Sequence, residues 1–368
     1  MENWTVWLLL ATILLPVSFM LIAVPYLTRR TESFGISITE EVYRHPDVRQ
    51  MRRHYAIILI TINLLMAAAI VFFFQLGDAE EMTTGLAVYL VGMFAAGFAV
   101  YLRYHYLMKR MKQERNWGSP TIQTAVIHTS FRQQKLAASN YWFIPHLLLT
   151  LATLAVVLLF YDRFPDTLVM QYGFDGEVTR SAAKSYSALL WPVGIQMMMI
   201  ALFMLINFSI VISKQQIDAA DPEGSMKRNI IFRRSWSVFL VITSFLIILM
   251  LSWMSISNLL RIGPNTTLVV VVLMVASIIG GSIWLSVRLG QGGSRIRQPA
   301  GGPGGVGSGP SDNDKHWKLG VIYFNPSDPA LFLEKRFGVG WTINMGRPLA
   351  WLIAAIPIVI VILSLWYA

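Results

Sequence analysis

Two apolar runs, Trp142 to Tyr161 and Tyr186 to Ile212, contain no Asp, Glu, Lys or Arg, and each is about 20 residues or longer. At 1.5 Å of rise per helical residue, such a run crosses a hydrocarbon core of roughly 30 Å. Runs of the same kind lie at roughly Trp4 to Leu27, Tyr55 to Leu76, Thr83 to Leu107, Trp236 to Leu260, Thr266 to Val287 and Pro348 to Tyr367, which predicts eight membrane helices. An apolar share of 55%, a charged share of 14% and a mean hydropathy of +0.54 agree with a multi-pass protein whose first partner is the lipid bilayer. The first run follows directly on Met1-Glu2-Asn3, without a positive leader or a cleavage site, and reads as a retained span.

Lys and Arg set the orientation. The loops 28–54, 108–141, 213–235 and 288–347 hold 25 of the 30. The positive-inside rule therefore puts both termini outside the cell. Trp4, Trp7, Trp142, Trp236 and Trp366 fall near span ends, as in an interfacial aromatic belt. The net charge of +10 is accounted for by orientation and anionic lipid, so no nucleic acid is expected as a partner. Cysteine is absent, which removes disulfides, thiolate ligands and Cys nucleophiles.

The fold class read from this pattern is an all-α integral membrane protein with a small cytoplasmic mixed α/β cap. Its parts are membrane helices with inner loops (1–140), two helices around an outer loop (141–214), two further helices (215–289), a Gly-rich linker (290–314), the cap (315–347) and a last helix (348–368). Met51-Arg52-Arg53-His54-Tyr55 and Phe232-Arg233-Arg234-Ser235-Trp236 stand 181 residues apart before two of the spans. The same offset carries the first span onto the fifth and the third onto the seventh and lands the fourth a few residues short of the eighth, which suits a 4+4 parallel repeat, the chance recurrence of Arg-Arg as a positive-inside signal being the plainer reading.

From Gly290 to Pro310 the chain has nine glycines and three prolines, the composition of a flexible linker. Beyond it, Val321 to Phe324 suit a strand and Asn325-Pro326 a turn. Asp328-Pro329 suit the N-terminus of a short helix to about Lys335, and Gly338 and Gly340 allow a reversal before Trp341. Thr129 to Ser139 suits an amphipathic helix running into Trp142.

Two stretches resemble known families. Tyr161-Asp162-Arg163-Phe164-Pro165-Asp166-Thr167 followed by Gly176-Glu177-Val178 resembles a bacterial membrane domain of unknown function that also occurs in the SdpI immunity proteins, which protect Gram-positive cells from a secreted toxin. His316 to Asn344, with Tyr323-Phe324-Asn325-Pro326-Ser327-Asp328-Pro329 and Lys335-Arg336-Phe337-Gly338-Val339-Gly340-Trp341-Thr342, is similar to a second uncharacterised domain of Firmicutes membrane proteins. The resemblance implies a bacterial cell membrane and, by analogy, a role in immunity or envelope stress.

Chemistry-bearing patterns are sparse. No span holds an interior Asp or Glu, no His-Glu-x-x-His occurs and the six histidines show no paired helical spacing, so neither an enzyme, a metal nor a cofactor is expected. The intramembrane polar candidates are Asn63, His146, Gln196 and Asn207. They line a polar cavity if the protein is a transporter, or form interhelical hydrogen bonds if it is not. For His146, a neutral ring bonded to a neighbouring helix is preferred over a gate. Arg103 and His105 are expected to snorkel to the head groups. Met197, Met198 and Met199 are expected to meet lipid or helices, and the small residues Ala276, Ser277, Gly280 and Gly281 to serve packing.

In the outer loop, Pro165, Asp166, Asp175, Gly176 and Glu177 are the candidates for binding an extracellular peptide, a solvated loop being the plainer reading. In the cap, Trp317, Tyr323, Asn325, Asp328, Lys335, Arg336 and Trp341 are the candidates for a cytoplasmic protein partner or lipid, with Lys335 and Arg336 as a phosphate pair. The leading expectation is a non-enzymatic protein of envelope defence, toxin immunity or signalling. The alternative is a transporter with a path between two four-helix halves.

Overall fold

The computed structural model describes residues 4–76, 79–117, 134–172, 177–216, 221–296 and 313–366. Each apolar run is helical: α1 Trp4–Leu27, α3 Pro46–Leu76, α4 Ala79–Glu114, α5 Ile144–Leu159 behind a 3-10 turn at Asn140–Phe143, α6 Tyr186–Ile212, α7 Pro222–Leu260, α8 Pro264–Leu289 and α9 Pro348–Trp366. A short α2, Glu40–Arg44, precedes α3. Among the described residues, six helices are long and apolar enough to cross a membrane: α3, α4, α5 with its leading turn, α6, α7 and α8. Large apolar side chains on their outer surfaces are exposed, among them Leu64, Leu65, Phe72, Val88 and Val91, as a lipid-facing surface requires.

Local signals set the helix ends. Asp221 caps α7 by accepting the Gly224 N–H at 2.9 Å, with Pro222 in the first turn, and Ser185 caps α6 by accepting from Ala188 at 3.2 Å. The far end of α7 stops at Arg261, which sits in the left-handed region at φ 52°.

Helices α1, α3 and α4 share one core through Leu14, Ile70, Leu86, Tyr89 and Met93. A second core joins the start of α5 to α6 and α7 through Phe143, Ile200, Phe203, Val241 and Ile248. Helix α8 packs on both α7 and α1. The fourth apolar run thus packs with the fifth and sixth. In α8, Gly281 faces the ring of Phe239 so closely that a Cβ would come within 2.7 Å of it.

Among the described residues the strands form four two-stranded antiparallel hairpins: β1 Glu32–Ser33 with β2 Ile36–Ser37, β3 Thr167–Tyr172 with β4 Val178–Ala183, β5 Trp317–Lys318 with β6 Ile322–Tyr323, and β7 Phe332–Glu334 with β8 Trp341–Ile343. Hairpin β3–β4 joins α5 to α6. The other three gather at the opposite end of the bundle, together with the basic-rich loops; this is called the basic end below.

Three local expectations are corrected. The segment expected to be helical from Asp328 to Lys335 instead carries β7, because the Asp328 carboxylate is taken by Lys214 and Tyr323 and the backbone pairs with β8. Of the helix expected over Thr129 to Ser139, residues 134–139 are not helical and the rest lies outside the described residues. There the Ala138 N–H donates to Ser237 Oγ at 2.7 Å and its carbonyl accepts from Asn207 at 3.0 Å, so helix side chains hold the backbone open. The Gly-rich stretch is ordered through residue 296: buried Gln291 donates to the carbonyls of Lys335 and Gly340 and accepts the Gly340 N–H. Residues 297–312 lie outside the described residues.

Candidate functional site

A seam of polar side chains runs along α7. Ser237, Val241, Ser244, Ile248, Ser252 and Ser255 recur at steps of three and four and are buried, so they form one stripe facing α5 and α6. Ser237 donates to Asn207 Oδ1 at 2.5 Å. His146 Nε2 lies 2.8 Å from Ser244 Oγ and 3.1 Å from the Val241 carbonyl. Gln196 Nε2 donates to Ser252 Oγ at 3.1 Å, and Thr153 Oγ1 lies 2.8 Å from the same oxygen. From Ser237 to Ser252 the seam covers about 22 Å of helix. These groups bond to one another directly. Asn63 stands apart, accepting from Ser18 Oγ of α1 at 2.8 Å, so the four intramembrane candidates do not line one cavity. Met197 and Met198 are exposed on α6.

The basic end holds the densest charge. Glu334 of β7 is fully buried and pairs with Arg29 and with Arg233 of α7, itself fully buried. Asn229 donates to Glu334 Oε1 at 2.6 Å. Arg233 also caps α6: its guanidinium donates to the carbonyls of Ile210 at 2.7 Å, Ser213 at 3.2 Å and Lys214 at 3.1 Å. One residue of α7 thus ties the end of α6 to the β7–β8 hairpin.

Beside it, Asp314 accepts from Arg336, from Lys112 of α4 at 2.8 Å and from the Ser37 N–H of β2 at 3.2 Å. Burial alone would raise the Asp314 carboxyl, but the charges of Arg336 and Lys112 outweigh it and hold the group below the usual carboxylate range. Glu32 of β1 goes the other way: burial pushes it up, and Arg29 and Arg336 offset this only in part. Among the described residues its Oε2 has no hydrogen-bond partner, and Arg336 Nε stands 4.0 Å from Oε1. Arg336 is therefore turned inward as a structural ion-pair partner, which corrects the expectation of a lipid-phosphate pair, while Lys335 is exposed.

Two hairpin turns abut at this end. Phe34-Gly35, between β1 and β2, and Leu319-Gly320, between β5 and β6, both have positive φ at both positions; the first is a two-residue hairpin loop, in which that conformation matches the strand twist, and the second loop is one residue longer through Val321. A Cβ on Gly35 would come within 2.6 Å of the Gly320 backbone, so only glycine allows the contact. Tyr101 of α4 donates to the Leu319 carbonyl at 2.8 Å, and His105 Nδ1 lies 2.8 Å from the Phe34 carbonyl. His105 is thus buried against a hairpin turn rather than snorkelling, while Arg103 is exposed. The Phe34-Gly35 turn escaped sequence reasoning although its aromatic-Gly pair after Ser33 was the available signal.

The remaining candidates of this segment form its small core. The rings of Trp317 and Tyr323 pack at a tilt of 54° with centroids 5.2 Å apart, and Tyr323 donates to Asp328 at 2.9 Å. Burial pushes the Tyr323 hydroxyl up to about 12. Burial also acts to raise Asp328, but Lys214 at 2.6 Å and the Ala330 N–H outweigh it and the group lies below its ordinary range. Asn325 donates to Tyr323 at 3.2 Å, and Asn344, missed in the sequence, binds the carbonyls of Asn325, Asp328 and Ala330. Trp341 packs on Phe232 at 5.2 Å.

At the opposite end, Asn258 of α7 grips Val169 of β3 twice, its Oδ1 accepting the N–H at 2.9 Å and its Nδ2 donating to the carbonyl at 3.1 Å. A shallow depression there is lined by Asp162, Arg163, Phe164, Pro165, Asp166, Thr167, Lys184 and Arg261. Asp166 is almost fully exposed and lies 3.4 Å from Lys184, which also donates to the Phe164 carbonyl at 3.1 Å. Glu177 is exposed; Asp175 and Gly176 lie outside the described residues.

The six long apolar helices and their exposed apolar surfaces fit a multi-pass membrane protein. A family model described as a domain of unknown function (DUF1648) matches residues 148–195, which run from α5 through the β3–β4 hairpin into α6. A second, a family of unknown function (DUF5808), matches residues 326–351, which hold β7, β8 and the start of α9. No curated protein and no solved structure matches the chain.

Proposed function

We propose that the protein is a non-enzymatic protein of the bacterial cell membrane acting in envelope defence or signalling. In this reading the β3–β4 hairpin meets an extracellular peptide and the β5–β8 segment answers on the cytoplasmic side. It takes α1 and α9 as two further crossings, eight in all, with both termini outside; the basic loops gathered at one end support that orientation. The order α1–α3–α4 and α6–α7–α8 supports a partial internal repeat, whereas the placement of α5 does not.

The observation that carries the reading is α7, whose Asn258 holds one hairpin and whose Arg233 and Asn229 hold the other. DUF1648 is associated with SdpI-like membrane proteins, which adds toxin immunity as the leading form of defence. Direct bonding among His146, Ser244, Gln196 and Ser252 weighs against a transporter, whose path would need such groups facing water. The test is a deletion strain challenged with secreted antimicrobial peptides and complemented with wild type, Asp166→Asn or Glu177→Gln. Restored resistance with wild type and reduced resistance with the variants is the expected result; equal sensitivity of all strains overturns the proposal.

A further inference from the structure

The β5–β6 hairpin has one inward face and one outward face. Trp317 and Tyr323 point into the segment and are nearly fully buried, whereas Ile322 is 45% and Phe324 42% exposed. Lys318, the cross-strand neighbour of Ile322, is exposed, and so is Lys315. An outward face of two large apolar side chains and two lysines, in a part of the chain with its own core, calls for an apolar and anionic surface to cover it.

Two independent anchors fix the height of this hairpin against the helices. Its turn is bonded to Tyr101, and about 20 residues of α4 counted from Thr83 bring a hydrocarbon core of roughly 30 Å to an end near Arg103. The turn therefore lies at the edge of the hydrocarbon. At the other end of the hairpin the Tyr323 carbonyl accepts the Met345 N–H at 2.9 Å. Three residues later the chain enters α9, whose Leu349, Trp351 and Leu352 are exposed as lipid-facing side chains are. Both ends of the hairpin are tied to points where helices reach the edge of the hydrocarbon, so its exposed face lies at the height of the leaflet interface.

We infer that the β5–β6 hairpin is an interfacial lipid-binding element: Ile322 and Phe324 enter the acyl region of the leaflet at the basic end, and Lys315 and Lys318 hold anionic phospholipid head groups. Two exposed aromatic and aliphatic side chains next to lysines are the arrangement by which peripheral segments lie in a bilayer interface. The inference requires only that the bundle spans a membrane, and it stands whether or not the protein acts in defence.

The chain has no cysteine, so single replacements can be labelled without background. Ile322→Cys and Phe324→Cys, each carrying an environment-sensitive fluorophore, are compared in full-length protein reconstituted in phosphatidylglycerol or phosphatidylcholine vesicles. Val91→Cys, on the lipid-facing side of α4, and Gln113→Cys, about 18 Å along α4 beyond Tyr101, are the references. Positions 322 and 324 are expected to be quenched by lipid-attached quenchers as at 91 and to be several-fold less open to iodide than 113. Their quenching is expected to fall in phosphatidylcholine, and in the Lys315→Gln/Lys318→Gln protein. Labels at both 322 and 324 that behave as at 113 overturn the insertion. Quenching indifferent to lipid charge and to the two lysines overturns the head-group assignment.

Discussion

Replacing Glu334 by Gln keeps the volume and one hydrogen-bond acceptor but removes the charge shared by Arg29 and Arg233. Glu334 and Arg233 are both fully buried, whereas Arg29 keeps 14% of its side chain exposed and can turn toward water. Removing one member of a buried ion pair costs about 3–5 kcal/mol. Here the lower end applies, because Arg233 keeps its bonds to Asn229 and to three carbonyls of the α6 end. A loss of about 3 kcal/mol raises the undocked population of the β7–β8 hairpin about 100-fold, at 1.4 kcal/mol per decade. Amide hydrogen exchange reads that population directly. The amides of Lys214, which donates to the Phe332 carbonyl, and of Asn344, which donates to the Leu331 carbonyl, should exchange about 100-fold faster in detergent-solubilised protein. Arg233→Met should cost more, about 5 kcal/mol, because it strands the α6 carbonyls as well, and exchange should then spread into the last turn of α6. The double variant should cost less than the sum of the two. Exchange at Lys214 and Asn344 within about threefold of wild type in Glu334→Gln would refute the view that this carboxylate docks the hairpin.

Four further outcomes follow from the same geometry. Burial raises the Glu32 carboxyl, so its contribution to stability is present below the ordinary carboxylate range and is lost as pH rises through the raised value; Glu32→Gln should therefore raise the unfolding temperature at pH 7–8 and lose that advantage in acid. Asp314 is held low by Arg336 and Lys112, so Asp314→Asn should show the opposite dependence, destabilising at neutral pH with a difference that shrinks as pH falls through its depressed value. Gly320→Ala places a Cβ 2.5 Å from the Tyr101 hydroxyl at a φ of +72° and should lower stability by about 1–3 kcal/mol, measured by thermal unfolding, whereas Tyr101→Phe, which loses one hydrogen bond, should cost about 1 kcal/mol. Asn258→Ala removes both bonds to Val169 and should cost about 2 kcal/mol, seen as faster exchange of the Val169 amide without change at the basic end.

The helices were legible because apolar length is a local property of the chain: Trp4–Leu27 and Tyr186–Ile212 match the expected spans end to end. Helix α7 was legible only from Trp236 onward. Its first 14 residues mix polar and charged side chains with Met226, Ile230, Ile231 and Phe232, and their helicity depends on the Asp221 cap and on the contacts of Asn229 and Arg233 with distant segments. The serine stripe was missed for a related reason, since Ser244 and Ser252 look like ordinary small residues until His146 and Gln196 are set against them. Asp328 shows the limit of local reading most clearly. Aspartate before proline is a strong helix-start pattern, but its carboxylate is worth more as the partner of Lys214, 114 residues away.

The two segments with family matches are each incomplete as folding units. Residues 148–195 supply two helices and a two-stranded hairpin whose outer backbone edge at Val169 is satisfied by Asn258, outside the segment. Residues 326–351 supply a hairpin whose buried carboxylate, Glu334, has no base within the segment beside it and depends on Arg29 and Arg233. Neither could bury its polar groups alone, and what completes both is α7, which belongs to neither. From Arg233 to Asn258 that helix rises about 37 Å, which is long enough to cross a hydrocarbon core of roughly 30 Å. The physical unit therefore extends beyond either matched boundary: one continuous helix supplies an amide to the hairpin at one end and a guanidinium to the hairpin at the other, with its buried serines held in register by α5 and α6 in between.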